Sequence, residues 1–101
     1  MKLYQQGDVL IESCEVPRDA IVQSGPIVLA YGETTGHKHA IEDIAGVKFL
    51  EKDGLYFLVN TTPMTVVHEE HRAITIPPGT WRVRKVREYD HFLEEAREVR
   101  D

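Results

Sequence analysis

The sequence predicts a mainly β fold: a small single-domain β-barrel or sandwich of short antiparallel strands with one C-terminal α-helix. Glycine and proline recur between short runs of β-branched and aromatic residues, the punctuation of a strand-and-turn chain. No helical segment separates those runs, which argues against a parallel α/β sheet. The length of 101 residues suits one domain, with residues 1–88 as a β-rich body and 89–101 as the tail helix.

Taken in order, Gly7 to Cys14 reads as the first strand, with Val9 and Ile11 on one face and Leu10 on the other. Val16-Pro17-Arg18-Asp19 ends it, because Pro17 removes a ladder donor. Pro26 to Tyr31 forms a short apolar strand bounded by Gly25 and Gly32. After the loop Gly32 to Gly36, the segment His37 to Ile44 alternates, with His39, Ile41 and Asp43 opposed to Ala40, Glu42 and Ile44. Val47 to Glu51 and Leu55 to Asn60 make the clearest hairpin, since Asp53-Gly54 readily takes the positive φ angles of a primed turn.

Pro63 to His68 and His71 to Ile76 form the next pair, joined by Glu69-Glu70. Pro77-Pro78-Gly79 then turns the chain into a last strand, Thr80 to Glu88. Trp81 and Val83 share one parity there and Val86 takes the other, so a bulge or an edge position is expected. Asp90 suits a helix N-cap, and Phe92, Leu93, Ala96 and Val99 make one narrow apolar stripe. Arg97 and Arg100 fall in the last turns, where cations complement the helix dipole.

An apolar fraction of 42% and a charged fraction of 29% mark an ordinary globular chain rather than a disordered one. Cys14 is the one cysteine, so an intrachain disulfide is impossible and a reducing compartment is expected, with Cys14 as a small buried residue. No apolar run approaches the roughly 18–20 residues that span a bilayer. Met1 to Gly7 also lacks the apolar core of a signal peptide, so a cytoplasmic protein with no membrane partner is expected. The net charge of −5 disfavours nucleic-acid binding over the whole surface but leaves room for a local basic patch. A domain this small is also expected to pair as a homodimer.

The most informative feature is a set of four histidines, His37, His39, His68 and His71. Residues two apart in a strand project to the same face, so His37 and His39 would point one way. Two neutral imidazoles on one face begin a site for zinc, iron, copper or manganese, and Glu33 or Glu42 could add an oxygen ligand. In His68-Glu69-Glu70-His71, a two-residue turn would set the histidines across a hairpin with Cβ atoms roughly 4.5–5.5 Å apart. Glu-Glu resists the positive φ of such a turn, and a wider loop or one helical turn would also bring positions i and i+3 together.

Sharper motifs fail. His68-Glu69-Glu70-His71 is one residue short of the zinc-protease helix motif, and no Pro-Cys-x-x-Cys follows to complete a deaminase signature. Gly32 to His37 lacks the Lys-Ser/Thr of a phosphate loop, and Ser13, Ser24 and Cys14 have no nucleophile elbow.

Gly7-Asp8-Val9-Leu10, Leu29-Ala30-Tyr31-Gly32-Glu33-x-Thr35-Gly36-His37-x-His39, His68-Glu69-Glu70-His71, Pro77-Pro78-Gly79 and Arg87-Glu88-Tyr89-Asp90 span nearly the whole chain. In these strings it resembles a group of small bacterial and phage proteins, a likeness that implies no particular activity. It is more loosely similar to cupins, which implies a small metal-binding β-barrel. Gly32, His37, His39, Glu42 and Gly46 follow the order of the first cupin motif with shortened gaps, and Pro77-Pro78-Gly79 matches the Pro-x-Gly of the second. Arg82 stands where the second motif has its ligand histidine, so His68 or His71 would have to substitute.

Arg82, Arg84, Lys85 and Arg87 cluster on the last strand, with Arg82 and Arg84 on one face. Such a stripe could bind phosphate, an RNA end or an acidic partner, or simply guard an edge strand by charge. The resulting expectation is a metal site with His37, His39, His68 and His71 as ligands of zinc, manganese or iron, and Glu69 or Glu70 as general acid/base. A hydrolase acting on a phosphate-containing or nucleotide substrate, with Arg82 and Arg84 binding it, is the matching activity. The competing expectation is a non-enzymatic interaction or accessory module whose histidines are structural.

Overall fold

In the computed structural model, residues 2–32, 36–86 and 99–100 are described. They form β1 (Leu3–Gln6), β2 (Val9–Ser13), β3 (Ile21–Val22), β4 (Val28–Tyr31), β5 (Lys38–Ile41), β6 (Val47–Lys52), β7 (Leu55–Asn60), β8 (Met64–Val67), β9 (Ile74–Ile76), β10 (Gly79–Lys85) and β11 (Val99–Arg100). One sheet runs β11-β1-β2-β10-β7-β6-β3 and the other β4-β5-β8-β9. Neighbours pair antiparallel except β1 with β11.

Turn chemistry explains much of this order. Asp53 and Gly54 take φ values of 52° and 79°, the two positive angles of the expected primed turn, and β6 and β7 pair from Lys52↔Leu55 to Val47↔Asn60. Pro26 precedes β4, Pro63 precedes β8 and Pro77-Pro78 precede β10. Each marks a crossing between the sheets, where a missing N–H stops a ladder from continuing. The closed barrel that the cupin likeness implies is therefore not formed; among the described residues there are two open sheets.

Both sheets feed one core. Tyr4, Val9, Ile11, Phe49, Leu58, Trp81 and Val83 of the larger sheet meet Ile41, Met64, Val66, Ile74 and Ile76 of the smaller in a single buried cluster. Burying side chains of this kind contributes about 1.5–3 kcal/mol each, the dominant favourable term for a chain of this size. Trp81 packs edge-on to Tyr4 at 5.6 Å between ring centroids and donates its indole N–H to Asn60 Oδ1 at 2.8 Å. Buried Asn60 in turn donates to Thr62 O and Pro77 O, tying two of the crossings together.

Several expectations are corrected. β1 is an additional strand: Leu3 to Gln6 pairs with β2 through the tight turn Gly7-Asp8, with Gly7 at φ 57°. β3 is also additional, a two-residue edge strand with Ile21 and Val22 exposed. β10 is neither bulged nor an edge, because β2 and β7 flank it; the irregular register lies in β4 between Val28 and Ala30. β8 and β9 pair only from Met64↔Ile76 to Val66↔Ile74, so a wider loop replaces the Glu69-Glu70 hairpin turn. Cys14 is half-buried and its thiol donates to Glu15 O. Most of the expected tail helix falls outside the described residues, but Val99–Arg100 is extended and lies parallel to β1 (Tyr4↔Val99, Gln5↔Arg100), where the open edge of β1 supplies ladder partners. No described helix is long and apolar enough to cross a membrane.

Candidate metal centre

The site is assembled where the β1–β2 turn meets the start of β5 and the loop between β8 and β9. Its anchor is Gln6, which is fully buried. The Gln6 amide nitrogen donates to Val66 O and Arg72 O, each at 3.0 Å, so both its hydrogens are used and Oε1 is left as an acceptor. That oxygen lies 2.8 Å from His39 Nδ1, which must therefore be the donor. The proton of neutral His39 is fixed on Nδ1 and the Nε2 lone pair faces away from Gln6, the arrangement that metal-ligating histidines share.

His39 is 2% exposed. Burial, followed by the neighbouring His68, pushes its pKa down to about 4, so the ring is neutral at neutral pH. Its Nε2 stands 3.5 Å from Asp8 Oδ1, and Asp8 Oδ2 lies 3.6 Å from Lys85 Nζ.

The loop after β8 brings the second histidine pair to the first. His68 is the hub: its ring centroid lies 4.3 Å from that of His39, 4.7 Å from His71 and 5.8 Å from His37. His39 and His71 stack at 5.8 Å. Imidazoles that ligate one tetrahedral ion at about 2.0–2.1 Å place their ring centres about 5 Å apart, within the range spanned here. Gly7 makes room for this packing, since a Cβ there would sit 2.7 Å from His71 Nε2.

The glutamates organise the loop. Glu70 Oε1 is 2.7 Å from His37 Nδ1, and the Glu70 N–H donates to His68 Nδ1 at 3.0 Å. The proton of a neutral His68 is thereby directed to Nε2, so holding an ion through either ring nitrogen would displace the Glu70 N–H contact. Glu69 Oε1 accepts the Lys38 N–H at 2.8 Å, and this bond leads the interactions that hold the Glu69 carboxyl below its usual pKa. One ligand atom each from His37, His68 and Glu69 lie within 4.8 Å of one another.

The structure thus brings His37, His39, His68 and His71 together with Glu69 and Glu70. It does not bring Arg82 and Arg84 to them. By register those arginines share a face of the larger sheet with Leu10 and Glu12, opposite the face of Val9 and Gln6, and Arg84 Nε donates to Glu12 Oε1 at 3.0 Å. Lys85 is a cation at the border of the histidines, through Asp8.

Gln6, Gly7, Asp8 and Lys85 are the site residues that sequence reasoning missed. A Gln at a core-facing strand position and a Gly-Asp turn carry a faint local signal, but their partner is 33 positions away from Gln6 in the chain.

No curated protein and no solved structure matches the chain. The family model described as Domain of unknown function (DUF8820) matches residues 5–86, which include every residue of the histidine cluster and its supports, and the chain belongs to that family.

Proposed function

We propose that this protein is a small metal-binding β domain whose ion is held by the histidine cluster, with His37, His68 and Glu69 as the core ligands and His39 and His71 beside them. The observation that carries the reading is the convergence of two chain segments at His68: three other imidazoles have centroids 4.3–5.8 Å from its own. His39 reinforces it, being neutral, buried and held with a lone pair on the side away from Gln6. Zinc, manganese or iron suits a set of imidazoles with one carboxylate. Such an ion lowers the pKa of a bound water toward neutrality, which is hydrolase chemistry, and Glu70 beside His37 is the nearby carboxylate for proton transfer. A phosphate-containing ester is the substrate class we assign to it.

The test is metal quantification of protein purified without a histidine tag, with His37→Ala and His39→Ala as controls. Near-stoichiometric metal that both substitutions abolish supports the reading. Metal-free protein that melts identically with and without chelator overturns it.

A second reading draws on a different observation. The bonds from His37 to Glu70, His39 to Gln6 and Glu70 N–H to His68 stitch the β8–β9 loop to β5 without any ion. On that reading the histidines are structural and the protein is an accessory module.

A further inference from the structure

Beside the histidine cluster, the two sheets leave a groove of about 730 Å³. Its origin is a divergence of strands. The β7–β10 ladder ends at Val83↔Tyr56, while β10 and β2 stay paired as far as Lys85↔Val9. At this end of the larger sheet β7 and β10 part, and residues from both faces of β10 reach one opening, with β4 of the smaller sheet along its other wall.

The lining has two characters. Tyr31, Leu55 and Tyr56 are exposed by 70%, 45% and 41%, three of the six large hydrophobic side chains exposed among the described residues, and all three line this groove. Arg82, Arg84 and Lys85 also line it, in a chain whose net charge is −5. Glu12 takes up Arg84, and among the described residues the buried Nε–H of Arg82 has no hydrogen-bond partner. The planar guanidinium of arginine suits contact with a phosphate. Lys85 joins the groove to the cluster, because its partner Asp8 is also the carboxylate facing His39.

We infer that the groove binds a small aromatic phosphate of the nucleoside monophosphate class. Its ring lies against Tyr31 and Tyr56, and its phosphate is taken by Arg82 and Lys85. Flat side chains with a π face hold a base without reading its identity, and the cations of the lining select the charged form over the neutral nucleoside. Binding in the groove needs no ion; only turnover of the bound ligand rests on the metal reading.

The experiment titrates the full chain, stripped of metal, with adenosine monophosphate, uridine monophosphate, adenosine and inorganic phosphate, followed by amide chemical shifts. The expected result is saturable binding of both monophosphates, with shifts at Tyr31, Tyr56, Arg82 and Lys85. Adenosine and inorganic phosphate are each expected to bind at least about tenfold more weakly. Tyr31→Ala, at an exposed position, and Lys85→Gln are each expected to weaken the monophosphates several-fold without altering the melting temperature. Equal affinity for nucleoside and monophosphate, no shift at millimolar ligand, or binding that needs added zinc and survives Tyr31→Ala would each overturn the assignment. Metal quantification on the tag-free protein before stripping separates the two claims: metal without monophosphate binding removes the groove alone, and monophosphate binding without metal removes the ion alone.

Discussion

His39 and Asp8 face each other as two acceptors, Nε2 to Oδ1 at 3.5 Å, because Gln6 holds the one proton of the neutral ring on Nδ1. Two lone pairs at that separation repel unless something positive lies between or beside them. Lys85 offsets part of the charge from the far side of the carboxylate. A metal ion near Nε2 would offset the rest. Asp8→Asn keeps the shape and removes the charge, so it is expected to weaken zinc binding by about 10- to 100-fold. Calorimetric titration of tag-free protein checks this, and an unchanged affinity would detach Asp8 from the site.

Gln6 is expected to matter more for folding than its polarity suggests. Gln6→Leu would leave the His39 N–H and the Val66 and Arg72 carbonyls without their partner. Each orphaned group costs about 1–3 kcal/mol, so a loss of at least about 2 kcal/mol is expected in urea unfolding. A loss well under 1 kcal/mol would mean that water replaces the amide, and that the His39 tautomer is not set by Gln6.

Gly7 and His71 are predicted to be coupled. Gly7→Ala places a Cβ at φ 57° and 2.7 Å from His71 Nε2, so strain and collision act together. Strain at such a position costs about 1–3 kcal/mol. In a His71→Ala background the collision is gone and only the backbone term remains, so the cost of Gly7→Ala should shrink. A double-mutant cycle measures that difference, and strict additivity would show that the imidazole does not press on Gly7.

The strand content was legible because it rests on local chemistry: prolines at the crossings and Asp53-Gly54 in a primed turn are written where they act. Layer closure was not legible, since whether the last strand of a sheet meets the first depends on pairings far apart in sequence. The same division runs through the site. His37 with His39, and His68 with His71, announced themselves by spacing, whereas Gln6, Gly7 and Asp8 were hidden in a short opening strand and its turn. For Arg82 and Arg84, alternation says which residues share a face but not which face looks at the histidines. Register decided it: Arg82 sits opposite Glu12, and Val83 opposite Ile11.

The last prediction concerns acid. The pKa of His39 falls from 6.5 to about 4 on folding, chiefly through burial. Between those values the unfolded chain takes up a proton that the folded chain refuses, so protonation favours unfolding. Stability from this group is therefore complete above pH 6.5, declines as pH drops toward about 4, and levels off below that. The full difference is on the order of 3 kcal/mol, at about 1.4 kcal/mol per pKa unit. The measurement is urea unfolding of metal-free protein across this window, because an ion would add its own competition with protons. His39→Asn, which does not titrate, should lose the decline over the same range. A wild-type profile as flat as that of the variant would mean that the buried imidazole accepts its proton as readily as an exposed one, and that the neutral ligand form is not enforced by the fold.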